Sequence, residues 1–136
     1  MKTREIKFRA WDELNKIMMH DFQFIKSGNI GNDWIVFTSD KQKLTNTPHP
    51  FDNPYFQQQF IIMQFTGLLD KNGVEIYEGD IVKHAGWVCE VVYGKNGCCF
   101  SLINEGETDL SVITEASSNY IEVIGNIYES PNLLEK

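Results

Sequence analysis

Residues 87–103, WVCEVVYGKNGCCFSLI, hold two apolar runs, Trp87 to Tyr93 and Cys98 to Ile103, around the turn Gly94-Lys95-Asn96-Gly97. Two β-prone runs separated by a Gly- and Asn-rich turn predict a β-hairpin. Ile81 and Val82 begin a strand before it, entered from the corner Glu78-Gly79-Asp80. Leu110 to Ile113 form a short strand after it, followed by a turn or single helical turn at Thr114 to Ser118. Ile121, Val123, Ile124 and Ile127 supply the last strand. Five short strands about ten residues apart, without long helices, predict a small barrel. Ser130 and Pro131 suit the N-cap and first position of a terminal helical turn.

The chain upstream has the same character. Phe60 to Phe65 reads as a strand running into Thr66 and Gly67, and Asp70-Lys71-Asn72-Gly73 as a turn, because Asn-Gly readily takes positive φ. Near the N-terminus Ile6, Phe8 and Ala10 alternate with Glu5, Lys7 and Arg9, the period of a half-buried strand with a basic outer face. A polar turn at 12–16 leads to Ile17, Met18 and Met19, and Phe22 and Phe24 continue the alternation. Trp34 to Phe37 form a third short strand after a turn cluster at 27–33. Pro48, Pro50 and Pro54 break regular structure in 38–59, leaving room for a short helical turn near Tyr55 to Gln59. The expected organisation is a mainly β chain with little helix: an N-terminal β-hairpin unit with a Pro-rich loop at 1–59, and a barrel at 60–136.

Charge divides along the same line. Residues 1–60 carry eight basic and seven acidic side chains, whereas 61–136 carry four and twelve. Duplex binding draws on Lys and Arg at phosphates, so the C-terminal half is ill suited to it and better suited to a basic partner. The chain contains no apolar run of bilayer-spanning length, and the start MKTREIKFRAWDE lacks the apolar core of a signal peptide. Three cysteines, Cys89, Cys98 and Cys99, give no disulfide framework. Together these imply reduced thiols in a cytoplasm and no membrane association.

Four segments carry a family likeness. Ile6-Lys7-Phe8-Arg9-Ala10-Trp11-Asp12, Met63-Gln64-Phe65-Thr66-Gly67-Leu68, the run from Asp70 to Val82, and Val123-Ile124-Gly125-Asn126-Ile127-Tyr128-Glu129 resemble the YopX family, small proteins of phages and prophages. The resemblance implies a β-rich protein whose C-terminal part is an SH3-like barrel, in a bacterial host. It carries across no catalytic residue.

The residues themselves offer three chemistries. Lys7, Arg9 and Trp11 on one strand describe a platform for single-stranded nucleic acid or RNA, or a solvated face that protects a sheet edge. Glu78 and Asp80 flanking Gly79 are a carboxylate pair suited to a divalent cation or to acid–base work; the structural alternative is a tight strand entry in which Asp80 bonds its own turn. Trp11, Tyr77 and Tyr128 suit a protein contact or self-association, and Trp87 is placed in or beside the core. Spacings among His84, Cys89, Cys98 and Cys99 do not match zinc ligands, and Cys98 and Cys99, as strand neighbours, should face opposite ways. His20 and His49 show no ligand spacing. Neither a nucleophile elbow nor a glycine-rich phosphate loop is present. The expectation is a non-enzymatic phage or prophage accessory protein without cofactor, binding a protein or assembling with itself. Its candidate surface is Lys7, Arg9, Trp11, Tyr77, Glu78, Asp80 and Tyr128. Nucleic-acid binding and a metal-dependent enzyme at Glu78 and Asp80 are the alternatives.

Overall fold

A computed structural model describes residues 5–20, 22–26, 33–39, 42–43, 60–94, 98–104 and 109–135. The helical turn expected at 55–59, most of the Pro-rich loop and the turns at 27–32, 95–97 and 105–108 lie outside the described residues. The chain is mainly β and divides into two compact units, Lys7–Met63 and Gln64–Lys136 with Met1–Ile6.

In the first unit β1 (Phe8–Asp12) and β2 (Ile17–Met19) form an antiparallel hairpin with Ala10 opposite Met19 and Asp12 opposite Ile17. Its turn is built by Asp12, whose Oδ1 accepts the N–H groups of Leu14 and Asn15 at 3.0 Å each, while Lys16 takes a positive φ of 57°. Asp is favoured at such corners because its short side chain satisfies turn N–H groups. A second hairpin pairs β3 (Phe22–Lys26) with β4 (Asp33–Ser39), and β4 pairs onward with β5 (Gln42–Lys43), a two-residue strand within a stretch expected to be loop. Ala10 and Met19 form the described core of this unit, with Phe8, Phe60 and Ile62 packed against them.

β6 (Phe60–Leu69) begins in the first unit and continues into the second, where it pairs antiparallel with β7 (Glu75–Tyr77), Phe65 opposite Tyr77. The second unit is a five-stranded antiparallel sheet that curls into a half-barrel. Its strands are β8 (Asp80–His84), β9 (Trp87–Tyr93), β10 (Phe100–Ile103), β11 (Asp109–Val112) and β12 (Glu122–Asn126), in the order β11-β10-β9-β8-β12. Four strands form a meander, and the last returns to pair with the first. The hairpin expected at 87–103 pairs Val91 with Leu102, and both lie in the core with Ile76, Val82, Cys89, Ile113 and Ile121. The short helical turn α1 (Glu115–Ser118) precedes β12, and its capping residue Thr114 accepts from Ser117 N at 3.1 Å. A 3-10 turn at Pro131–Leu133 ends the described chain; Ser130 precedes it as expected but makes no side-chain cap bond.

Asp70 joins the turn after β6 to the returning strand. Its Oδ1 accepts from Asn72 N at 2.8 Å and Val74 N at 2.9 Å, and its Oδ2 accepts from Val123 N at 2.9 Å. Lys71 N donates to Ile121 O beside it at 3.0 Å. Asp70→Ala leaves three N–H groups without this acceptor, so urea unfolding should show a loss of about 2–3 kcal/mol. A change below ~0.5 kcal/mol, the range of neutral surface substitutions, would mean that solvent replaces the carboxylate.

Candidate functional site

The basic outer face expected on β1 is not formed. Arg9 is only 5% exposed and Trp11 4%, while Lys7 is half-buried. Alternation predicts one wet face only if nothing covers that face, and here Met63 lies against Arg9. Arg9 lies along Met63, its Nη2 3.8 Å from the sulfur, and the Trp11 indole N–H donates to Glu13 Oε2 at 2.7 Å. Trp87 departs in the other direction. It is 49% exposed because it is the first residue of β9, beside the Ala85-Gly86 turn.

The Glu78-Gly79-Asp80 corner follows the structural alternative. Asp80 is buried, and its Oδ2 accepts from Tyr77 N at 2.8 Å. Glu78 is engaged with β6: its Oε1 accepts from Gln64 N at 2.8 Å, and its N–H donates to Gln64 O at 3.0 Å. Gly79 sits at φ 82°, a left-handed conformation that glycine adopts without strain, donates to Val91 O and accepts from Ile127 N. Tyr77 is buried against Phe65 with ring centroids 5.4 Å apart, and its hydroxyl donates to Glu75 at 3.0 Å. Tyr128 is half-buried, its N–H bonded to Asn126 Oδ1 at 3.1 Å. Trp11 and Tyr77 are therefore packing residues, not exposed contacts. Among the described residues no three His, Cys, Asp or Glu side chains gather as a metal site.

A different set of residues does converge. Phe100 and Tyr93 are register partners at the turn end of the β9–β10 hairpin, and their rings pack at 5.0 Å and 56°. Gly94 N donates to Cys99 O at 3.0 Å and holds the strands together there. These rings form part of the wall of a groove of about 430 Å³, which Leu68 and Ile113 also line, with Glu115 supplying a carboxylate. Cys98 and Cys99 both line this groove. Both precede β10, which begins at Phe100. Cys98 is exposed and Cys99 half-buried, whereas Cys89 lies in the core, where burial pushes its thiol pKa up. The sequence signal for this site is incomplete: Gly94-Lys95-Asn96-Gly97 read as the turn sets Cys98 opposite Tyr93, whereas the strands pair Tyr93 with Phe100.

A family model described as YopX protein matches residues 7–135. The chain belongs to the YopX family. Protein EF1440 from Enterococcus faecalis shares its fold at a TM-score of 0.64 and 29% identity, over 98% of this chain and 100% of that one. Protein yopX from Bacillus subtilis is similar in fold at a TM-score of 0.56 and 24% identity, over 95% of each chain. No curated protein matches. The segments that suggested YopX membership are largely scaffold in this chain: Asp70, Glu78, Gly79 and Asp80 all bond backbone groups.

Two outcomes follow. Asp80→Ala removes the acceptor of a buried N–H, so the urea midpoint should fall by the equivalent of about 1–3 kcal/mol; unchanged stability would reject the structural role. Hydrogen bonds from Lys16 and then Trp11 hold the Glu13 carboxyl below its ordinary value of 4.5. A depressed pKa means that the Trp11–Glu13 bond is present above the ordinary value and lost as pH falls through the folded one. The Trp11 indole N–H resonance should therefore titrate with a midpoint below 4.5, moving upward in Lys16→Met. A midpoint at or above 4.5 in the parent chain would contradict the geometry.

Proposed function

We infer that this YopX-family chain is a non-catalytic protein-binding module, a phage or prophage accessory acting in the cytoplasm of a bacterial host. Its C-terminal SH3-like half-barrel seats a basic, aromatic-containing peptide segment. The observation that carries this reading is the groove under Tyr93 and Phe100. Tyr93 is 51% exposed although it packs on Phe100, which leaves an amphipathic ring available to a partner. Such rings supply large contact area at low entropic cost.

Charge selects the class of partner. Glu115 lines the groove, and residues 61–136 carry twelve acidic against four basic side chains. A field of that sign favours a cationic segment and speeds its encounter, while wrong-signed partners are repelled. The exposed Cys98 thiol at the groove allows the site to be blocked chemically without altering the core.

Fluorescence anisotropy with two labelled twelve-residue peptides tests the reading, both with the same aromatic residues, one with lysines and one with glutamates in the remaining charged positions. The lysine peptide should bind, and more weakly as salt rises. Glu115→Lys should weaken it about tenfold, ~1.4 kcal/mol, as should Tyr93→Ala, and maleimide capping of Cys98 should block it. Equal binding of both peptides, or binding indifferent to the Cys98 cap, would overturn the assignment. A dimer in sedimentation that Tyr93→Ala dissolves would instead give the groove to a second copy of the chain.

A further inference from the structure

The second unit contains another cleft, of opposite electrostatic character, at the far end of the β8–β9 hairpin from Tyr93. Its volume is about 450 Å³, and Lys71, Lys83, His84, Ala85, Tyr120 and Glu122 line it. Residues 61–136 hold four lysines and no arginine, and the two that are described both line this cleft. The topology explains the coincidence. Lys83 on β8 is the register partner of Glu122 on β12, and Lys71 reaches Glu122 from the turn after β6 at 3.1 Å. Lys71 thus neutralises Glu122, and the exposed Lys83 ammonium on the facing strand leaves a positive excess, with the His84 imidazole adjoining.

Three further features indicate what would complete the cleft. His84 Nδ1 is buried and meets no hydrogen-bond partner among the described residues. Tyr120, which lines the cleft, is 76% exposed, an aromatic ring offered to solvent. Ala85, at the hairpin tip, has a φ of 50° in the left-handed region where Asn or Gly is the usual choice, so a side chain no larger than a methyl is presented there.

We propose that this cleft binds a small nucleoside phosphate, with the phosphate on Lys71, Lys83 and His84 and the base stacked on Tyr120. Ammonium and imidazole groups are phosphate ligands, and a Tyr face stacks on any base. The volume falls within the range of small-molecule sites. The surrounding charge sets the size of the ligand. A long strand would lay its further phosphates against a half of net charge −8, whereas one phosphate meets mainly the lysines within the screening length of about 8 Å. This site shares no lining residue with the Tyr93 groove, so its fate and that of the peptide reading are separable.

The test is NMR titration of the full ¹⁵N-labelled chain with four probes: AMP, adenosine, inorganic phosphate and oligothymidylate. AMP should give saturable shifts at Lys71, Lys83, Ala85, Gly86 and Tyr120, and should bind more tightly than adenosine or phosphate alone. Lys83→Glu should weaken AMP about tenfold. Tyr120→Ser should weaken AMP about fivefold while leaving inorganic phosphate unchanged. Both side chains are exposed, so the variants keep the fold. Absence of saturable shifts at the cleft overturns the proposal, as does AMP binding indifferent to Lys83→Glu. Tighter binding of oligothymidylate than of AMP would replace the small-ligand site with a polymer site.

Discussion

The carboxylate of Asp70 accepts from Asn72 and Val74 with one oxygen and from Val123 with the other, so one side chain shapes a local turn and fastens a strand 53 residues away. β12 needs such a fastening. The other strands of its sheet are joined to their neighbours by short connections, but β12 pairs with β8 across the whole intervening meander and bears the loop-closure entropy of that separation. A bulge between Val123 and Gly125 interrupts its ladder, and the Gly79 carbonyl receives Ile127 N beyond the strand's end. The returning strand is held near its start by Asp70 and past its finish by Gly79, with the register shift between them. Sheet curl follows from this, because a bulge adds local twist where flat pairing would otherwise continue.

One candidate site is a consequence of that closure, the other of the meander that it closes. Pairing β12 to β8 sets Glu122 opposite Lys83 in register, and the turn organised by Asp70 brings Lys71 onto the Glu122 carboxylate. Without the returning strand the two lysines would stand apart on an acidic surface. The meander sets the other groove: register places Tyr93 against Phe100, and the strand that follows brings Ile113 and then Glu115 beside them. Ile113 N donates to Phe100 O at 3.0 Å, which fixes the start of α1 relative to the aromatic pair.

How much of this was legible depends on the range of each interaction. The β9–β10 hairpin is written in a local pattern, apolar runs around a Gly- and Asn-rich turn, and Val91 and Leu102 meet as that pattern requires. The β1–β2 hairpin was legible for the same reason, and so was the turn that Asp12 builds. The burial of Arg9 was not, because alternation reports a period and not what lies over each face. Nor was the exposure of Trp87, since an aromatic at a strand end reads the same as one in its middle. Asp70 could be recognised as a turn residue from Asp70-Lys71-Asn72-Gly73, but no local signal announces Val123 as its partner. The clefts depend on such long-range pairings, which is why the sequence named Lys7, Arg9 and Trp11 as a surface and passed over Lys71, Lys83 and Tyr93.

The division of labour among the charged groups has a physical logic. A carboxylate that accepts backbone N–H groups is a strong local organiser because it offers two oxygens to donors that would otherwise need water, and Asp12, Asp70, Glu78 and Asp80 all act in this way. Such groups hold a small half-barrel together, but their lone pairs are already directed at the fold. The proposed recognition falls to other side chains that line the two clefts: the ring of Tyr93, the Glu115 carboxylate, Lys71 and Lys83, and the ring of Tyr120. The abundance of acid in this half therefore has two consequences of different range. At hydrogen-bond distance it builds turns, and at several ångströms it biases the surface toward cationic partners, leaving the neighbourhood of Lys71 and Lys83 as the described place where an anion meets attraction.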